Sequence, residues 1–295
     1  MPLLFLLLAL CGLVLSTYGS DARVAPTSVA RAGSGRAFKV MTFNIAHGMG
    51  SSGYDLPRVA DVIARVQPDL VALQEVTRNH PAYRCDDQPA LLSEGLRRAT
   101  GRVWYHAYVQ EWELRTSVTC RQQGSGDGPM TEGLAFLAPE PITAVASQKL
   151  WNSRIGVAVR VTSAPHVAFI VTHLASSSRN VDDRIKQVAQ LAPWVDGRGL
   201  PRVLLGDLNA RPGASELAPL MRTHRDAWAD AAAAGTIRGI STGATHRSGK
   251  ARIDYVLYTP GAGLRVEWVD TVDAAALVGV QTSDHHPVVA SFTIQ

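Results

Sequence analysis

A chain of 295 residues with 46% hydrophobic and 18% charged side chains, 25 Gly and 16 Pro excludes a disordered tail, a collagen-like fibre and a small disulfide scaffold. The length leaves room for one large α/β domain or two modest ones, with ample core in either case. A formal charge of +4 permits a polyanionic partner without demanding one, because only 4 of the 29 basic residues are Lys and an arginine excess can reflect genome composition.

Leu3 to Leu15 is almost unbroken apolar sequence, followed by small and polar residues from Ser16 to Ala22. About a dozen apolar residues is the length of a signal-peptide core and short for a membrane span. Residues 1–22 are therefore expected to be a signal peptide, with an uncleaved anchor as the lesser alternative. A lipoprotein reading of Cys11 is disfavoured by Leu10, where that processing needs a small side chain. Residues 23–36 are small and polar and read as a linker. The expected product is secreted or periplasmic, with residues 37–295 as its domain.

In chain order, Phe38–Asn44 reads as a strand, and Asp55 caps a helix running to Val66 with Val59, Val62, Ile63 and Val66 on one face. Leu70–Gln74 is a buried strand and Ala90–Ala99 a helix. Trp104–Tyr108, Leu134–Leu137, Ile155–Val161 and Val167–Thr172 are strands, the last apolar enough to be central. Val181–Val195 is a helix with Ile185, Val188, Leu191 and Ala192 as its stripe. Val203–Leu205, Ile253–Tyr258, Leu264–Val269 and Val288–Phe292 complete the strands. Many strands without regular strand–helix alternation predict stacked sheets flanked by helices. In a compartment that favours oxidation, Cys85 and Cys120 are expected to pair, closing a loop of about 35 residues; two buried free thiols are the rival reading.

Nearly every apolar strand ends in a polar residue able to do chemistry. Asn44, Gln74 and Glu75, His173, and Asp207 with Asn209 each follow a strand, while Asp254 opens one and Asp284, His285 and His286 precede the last. Any one of these has a structural explanation as a turn cap. Six such sites at strand ends point instead to the mouth of a sheet, where active sites gather.

The series "TFNIAHG", "PDLVALQEV", "TEGLAFLAP", "VTHLA", "LLGDLNARPG", "ARIDYVL" and "TSDHHPV" resembles the endonuclease/exonuclease/phosphatase superfamily, which includes pancreatic-type deoxyribonuclease, apurinic endonucleases, bacterial sphingomyelinases and inositol polyphosphate 5-phosphatases. The resemblance covers Phe38 to the C-terminus. It implies a four-layer α/β/β/α sandwich of two mainly antiparallel sheets between helices, and metal-dependent hydrolysis of phosphoesters. It makes Glu75 the principal ligand of Mg²⁺ (or of Mn²⁺ or Ca²⁺), supported by Asn44 and Asp284. Asp207 and Asn209 would hold the attacking water and phosphate oxygens. His285 would be the catalytic histidine, oriented by Asp254, and His286 would have no catalytic role.

His173 stands where the deoxyribonuclease and sphingomyelinase branches carry a second histidine, and Glu132 where the deoxyribonuclease has that histidine's partner. Such a pair would raise the His173 pKa and keep it available as an acid. The expectation is a monomeric phosphodiesterase acting on nucleic acid, with a phospholipid phosphodiesterase or a phosphomonoesterase as alternatives. His246, where the family usually has an aromatic, is expected to fill the same pocket. Arg115, Arg121, Arg154, Arg179 and Arg211 are candidate phosphate binders that spacing cannot rank.

Overall fold

The computed structural model describes residues 35–115, 120, 128–176 and 180–295. The predicted signal peptide and nearly all of the linker lie outside these residues, and Arg36 already opens the first strand. The strands are β1 (Arg36–Asn44), the short β2 (Met49–Gly50) and β3 (Gly53–Tyr54), β4 (Leu70–Arg78), β5 (Tyr105–Glu113), β6 (Thr131–Ala138), β7 (Ile142–Lys149) and β8 (Ile155–Val161). Then come β9 (Ala164–His173), β10 (Arg202–Asp207), β11 (Arg225–Asp226), β12 (Ile237–Gly239), β13 (Asp254–Tyr258), β14 (Leu264–Thr271) and β15 (Val288–Ile294). The helices are α1 (Leu56–Val66), α2 (Gln88–Thr100), α3 (Val181–Asp196), α4 (Ala218–Met221), α5 (Ala227–Ala233) and α6 (Ala274–Val278).

Period-two alternation along the strands builds the layers. In β1, Phe38 and Val40 face a core between two sheets, while Met41 and Phe43 face α1 and α2. In β9, Val167, Phe169 and Val171 enter the same central core, while Ala168 and Ile170 face α3. The result is a four-layer α/β/β/α sandwich. One sheet has the order β12-β14-β15-β1-β4-β6-β5 and the other β11-β13-β10-β9-β8-β7, each mainly antiparallel. A two-stranded ribbon, β2-β3, is a third sheet beyond the two expected. Phe38 and Phe169 stack across the sandwich with centroids 5.2 Å apart, a contact worth about 0.5–1.5 kcal/mol beyond the area it buries.

Asp55 caps α1 as expected, accepting from the Arg58 amide. Val188, Leu191 and Ala192 of the predicted α3 stripe are buried, but Ile185 is exposed, and Arg184 and Gln187 turn inward beside the stripe. Both polar side chains are held by specific bonds. Arg184 donates to Glu216 and to the Ala175 carbonyl, and Gln187 accepts from the Ala175 amide while donating to the Trp151 carbonyl. Both side chains thus pin the segment that follows His173. Cys85 and Cys120 are joined as a disulfide.

Candidate active site

The strand-end residues converge because register puts them side by side. Asn44 pairs with Gln74 across β1 and β4, His173 with Asp207 across β9 and β10, and Asp207 with Asp254 across β10 and β13. At the mouth one amide bonds to both sheets: Asn44 Nδ2 donates to Glu75 Oε1 at 3.0 Å and to Asp207 Oδ2 at 3.2 Å. Its Oδ1 accepts from the Ala46 amide, so the side chain cannot turn over without losing all three bonds.

Local backbone devices aim the carboxylates. A bulge in β4 between Leu73 and Val76 leaves Glu75 in the left-handed region, at φ 55°, and swings its side chain to the sheet's mouth. Gly206 precedes Asp207 because a Cβ there would lie 2.0 Å from the Thr172 carbonyl oxygen. Asn209, also left-handed, donates its amide N–H to Asp207 Oδ1 and its side-chain Nδ2 to the Leu174 carbonyl. Ser283 Oγ donates to the Asn44 carbonyl and accepts from the His285 amide, tying the last motif to the first.

His285 and Asp254 form a buried dyad, with Nδ1 2.8 Å from Asp254 Oδ2. Burial pulls the imidazole pKa down, but the Asp254 charge and hydrogen bond, helped by Asp207 and Asp284, outweigh it and raise it to about 10. His285 is therefore an imidazolium at neutral pH, and its Nε2 points toward Asp207 Oδ2 at 3.6 Å. Burial and then the neighbouring Asp254 charge push Asp207 up to about 7. A carboxylate near 7 beside a charged imidazole is suited to accept a proton while its neighbour donates.

His173 differs from its expected setting. Glu132 does not pair with it; Glu132 Oε2 lies 3.9 Å from His47 Nε2 instead. His173 Nδ1 faces Arg154 Nη1 at 3.1 Å, and its Nε2 is 3.6 Å from Asp207 Oδ2. Burial, and then the positive charge of Arg154, hold its pKa well below the usual histidine value, opposite to the expected direction. The physical reason is placement: Glu132 sits opposite Thr77 and Trp112 in the sheet of β4 and β5, on the Glu75 side of the mouth. Burial and the Glu75 charge raise Glu132 to about 7.

His47 escaped the sequence reading. It occupies a left-handed turn, Ala46–Gly48, and places Nε2 3.5 Å from Glu75 Oε2. Gln88 Nε2 holds its carbonyl at 2.7 Å, and its ring stacks on Tyr83 at 5.0 Å, with His80 on the same tyrosine. The signal available was His-Gly directly after a strand-end Asn, a chemistry-bearing residue in a turn that glycine enables. Asp284 is near enough to act by charge on both His47 and His285. His246 packs edge-on against the His285 ring, at 5.5 Å, while its Nδ1 lies 2.9 Å from Ser248 Oγ. His286 donates its amide to the Thr245 carbonyl and so helps position that loop. Of the three candidate arginines among the described residues, Arg154 meets the site while Arg115 and Arg211 are exposed; Arg121 and Arg179 lie outside the described residues.

The donor chemistry fits a hard divalent cation. Buried Asp207, Asp254 and His285 offer ligand atoms within 4.8 Å of one another, and Asp254 Oδ1 is buried without a hydrogen-bond partner. The His285–Asp254 bond occupies much of that trio. The oxygens on the Glu75 side of Asn44 are the freer set, and oxygen donors of this kind suit Mg²⁺ or Mn²⁺.

The sequence profile of the Endonuclease/Exonuclease/phosphatase family matches residues 41–285, from β1 to His285. The chain belongs to that family. Members of the family hydrolyse phosphoester bonds, which agrees with the site. Among solved structures, an endonuclease/exonuclease/phosphatase from Beutenbergia cavernae DSM 12333 is 26% identical, with a TM-score of 0.67, over 88% of this chain and 72% of that one. The human Nocturnin catalytic domain with bound sulfate (20% identity, TM-score 0.60, 88% and 95% covered) shares the fold. So does the mannosyl-6-phosphatase of Bacteroides thetaiotaomicron VPI-5482 (14%, 0.59, 86% and 99%). No curated protein matches the chain.

Proposed function

We propose that this member of the endonuclease/exonuclease/phosphatase family is a secreted, divalent-metal-dependent phosphodiesterase acting on nucleic acid. The observation that carries the reading is the Asp207 carboxylate, raised to about 7 and flanked at 3.6 Å by two imidazoles. Asp207 takes a proton from water as the water oxygen bonds to phosphorus, and His285 donates its Nε2 hydrogen to a phosphate oxygen that gains charge. The bond from phosphorus to the leaving oxygen breaks, and that oxygen takes its proton from solvent. Glu75, oriented by Asn44 and assisted by Asp284, would hold the cation, which supplies charge neutralisation at the phosphate.

Glu75, Asp207 and Asp254 crowd the mouth, and so many carboxylates favour a singly charged diester over a terminal dianion. The half-buried ladder of His80, Tyr83 and His47 beside Glu75 offers ring faces of the kind on which bases stack. Export rests on the apolar Leu3–Leu15 stretch and agrees with the Cys85–Cys120 pair.

The test offers plasmid DNA, sphingomyelin vesicles, a bis-aryl phosphodiester and an aryl phosphate to the purified chain, with Mg²⁺ and with EDTA. Metal-dependent cleavage of DNA and of the diester, with vesicles untouched, is expected. Cleavage of vesicles alone overturns the substrate, and preference for the aryl phosphate overturns the diester reading.

A further inference from the structure

We infer that Arg154 is a positioning residue that locks His173 as the neutral tautomer with its hydrogen on Nε2, making His173 a fixed hydrogen-bond donor to the phosphate. A guanidinium only donates, so the 3.1 Å contact from Arg154 Nη1 to His173 Nδ1 requires Nδ1 to accept. An imidazole accepting at Nδ1 and neutral overall carries its single hydrogen on Nε2. That nitrogen points toward Asp207 Oδ2, at 3.6 Å, and toward Glu75 Oε1, at 4.0 Å, the opening that the Proposed function gives to the phosphate.

Arg154 is itself fixed on separate sides. Nη1 also reaches Glu111 Oε2 at 3.2 Å, and the guanidinium carbon lies 4.6 Å from the centre of the Trp112 ring. Its side chain is only 11% exposed and Glu111's 1%, so water does not compete freely for these groups. The arrangement reverses the His285 dyad, where a carboxylate on Nδ1 makes the ring a cation. Protonating His173 would put a hydrogen on Nδ1 against a donor that cannot accept it. The ring therefore gives a hydrogen bond and no proton, and the leaving oxygen does not depend on it.

The tautomer stands on the geometry alone, and its use at the phosphate rests on the proposed phosphodiesterase activity. The experiment separates the two. Chains labelled with ¹⁵N-histidine are examined by long-range ¹H–¹⁵N spectra of the imidazoles, with His173→Gln assigning the resonance, and hydrolysis is measured beside them. In the native chain His173 is expected to show a protonated Nε2 and an unprotonated Nδ1 at neutral pH. Arg154→Met is expected to mix the tautomers and to lower kcat about 10–100-fold with KM little changed. Arg154→Lys, which still donates, is expected to recover the tautomer and most of the rate. A native His173 with its hydrogen on Nδ1 overturns the inference even if no Arg154 variant folds, and so does an unchanged tautomer in folded Arg154→Met. A correct tautomer in a chain that cleaves no phosphodiester upholds the inference and sinks the activity instead.

Discussion

His285 and His173 converge on one oxygen, each with Nε2 3.6 Å from Asp207 Oδ2. What differs is the group on the far nitrogen: the Asp254 carboxylate at 2.8 Å for one, the Arg154 guanidinium at 3.1 Å for the other. Both rings are buried, and burial by itself lowers both pKa values. The carboxylate overcomes that penalty and leaves a cation; the guanidinium adds to it and leaves a neutral ring. One side chain type thus fills two roles at one site, and the residue behind it decides which.

The largest expected effect comes from removing the charged member. His285→Ala should lower kcat by about 10²–10⁴-fold on any substrate the protein turns over, because the donor facing the phosphate is lost. A rate within twofold of the native value would end the two-histidine scheme. Asp254→Asn comes next. It keeps a hydrogen-bonding group but removes the charge that holds His285 up near 10, so the alkaline limb of the pH–rate profile should move toward the ordinary histidine value of 6.5. Native activity should rise through about 7 as Asp207 ionises and fall near 10 as His285 loses its proton. Stability follows the same sign: a raised histidine pKa stabilises the fold fully below 6.5, and the contribution is lost as pH climbs through about 10. Thermal melts of native and Asp254→Asn protein should therefore differ more at pH 6 than at pH 10.

The residues of this comparison were unequally legible in the sequence. Asn44, Glu75, Asp207, Asp254 and His285 each terminate or open an apolar run, so alternation and motif spacing bring them to one sheet mouth. The edge strand β7 is absent from the sequence reading because most of its side chains remain exposed and carry no alternation of apolar residues. Strand β5 continues to Glu113, past the predicted end at Tyr108, for a related reason: its outer half mixes polar and aromatic residues. His47 depends on a left-handed turn whose direction no local pattern declares. Arg154 was one of five equivalent arginines until packing placed Glu111 and Trp112 around it. Sequence position sets Glu132 beside His173, whereas the fold sets it beside His47, because a partner across the sheet depends on how two distant segments pack, here Glu132 against the turn after β1.

If His173 only donates a hydrogen bond, a neutral amide should replace it better than it could replace an imidazolium. His173→Asn is expected to retain more activity than His173→Ala, whereas His285→Asn should be no better than His285→Ala. Equal losses for Asn and Ala at position 173 would argue that the imidazole does more than donate there. Glu132→Gln should have the least effect of all, a few-fold at most in kcat, on the order of losing one partly screened charge contact. Its carboxylate reaches neither catalytic imidazole and meets His47, at 3.9 Å, and the Trp112 side chain. Because burial and Glu75 already raise Glu132 to about 7, the native side chain is part-protonated near neutrality, and the amide mimics that state. The difference between native and Glu132→Gln rates should widen as pH rises from 6 to 8, as the native carboxyl ionises. If Glu132→Gln instead costs as much as His173→Ala, with the two losses failing to add in the double variant, then Glu132 and His173 act as one unit during turnover, and the opposition of the two histidines would not survive substrate binding.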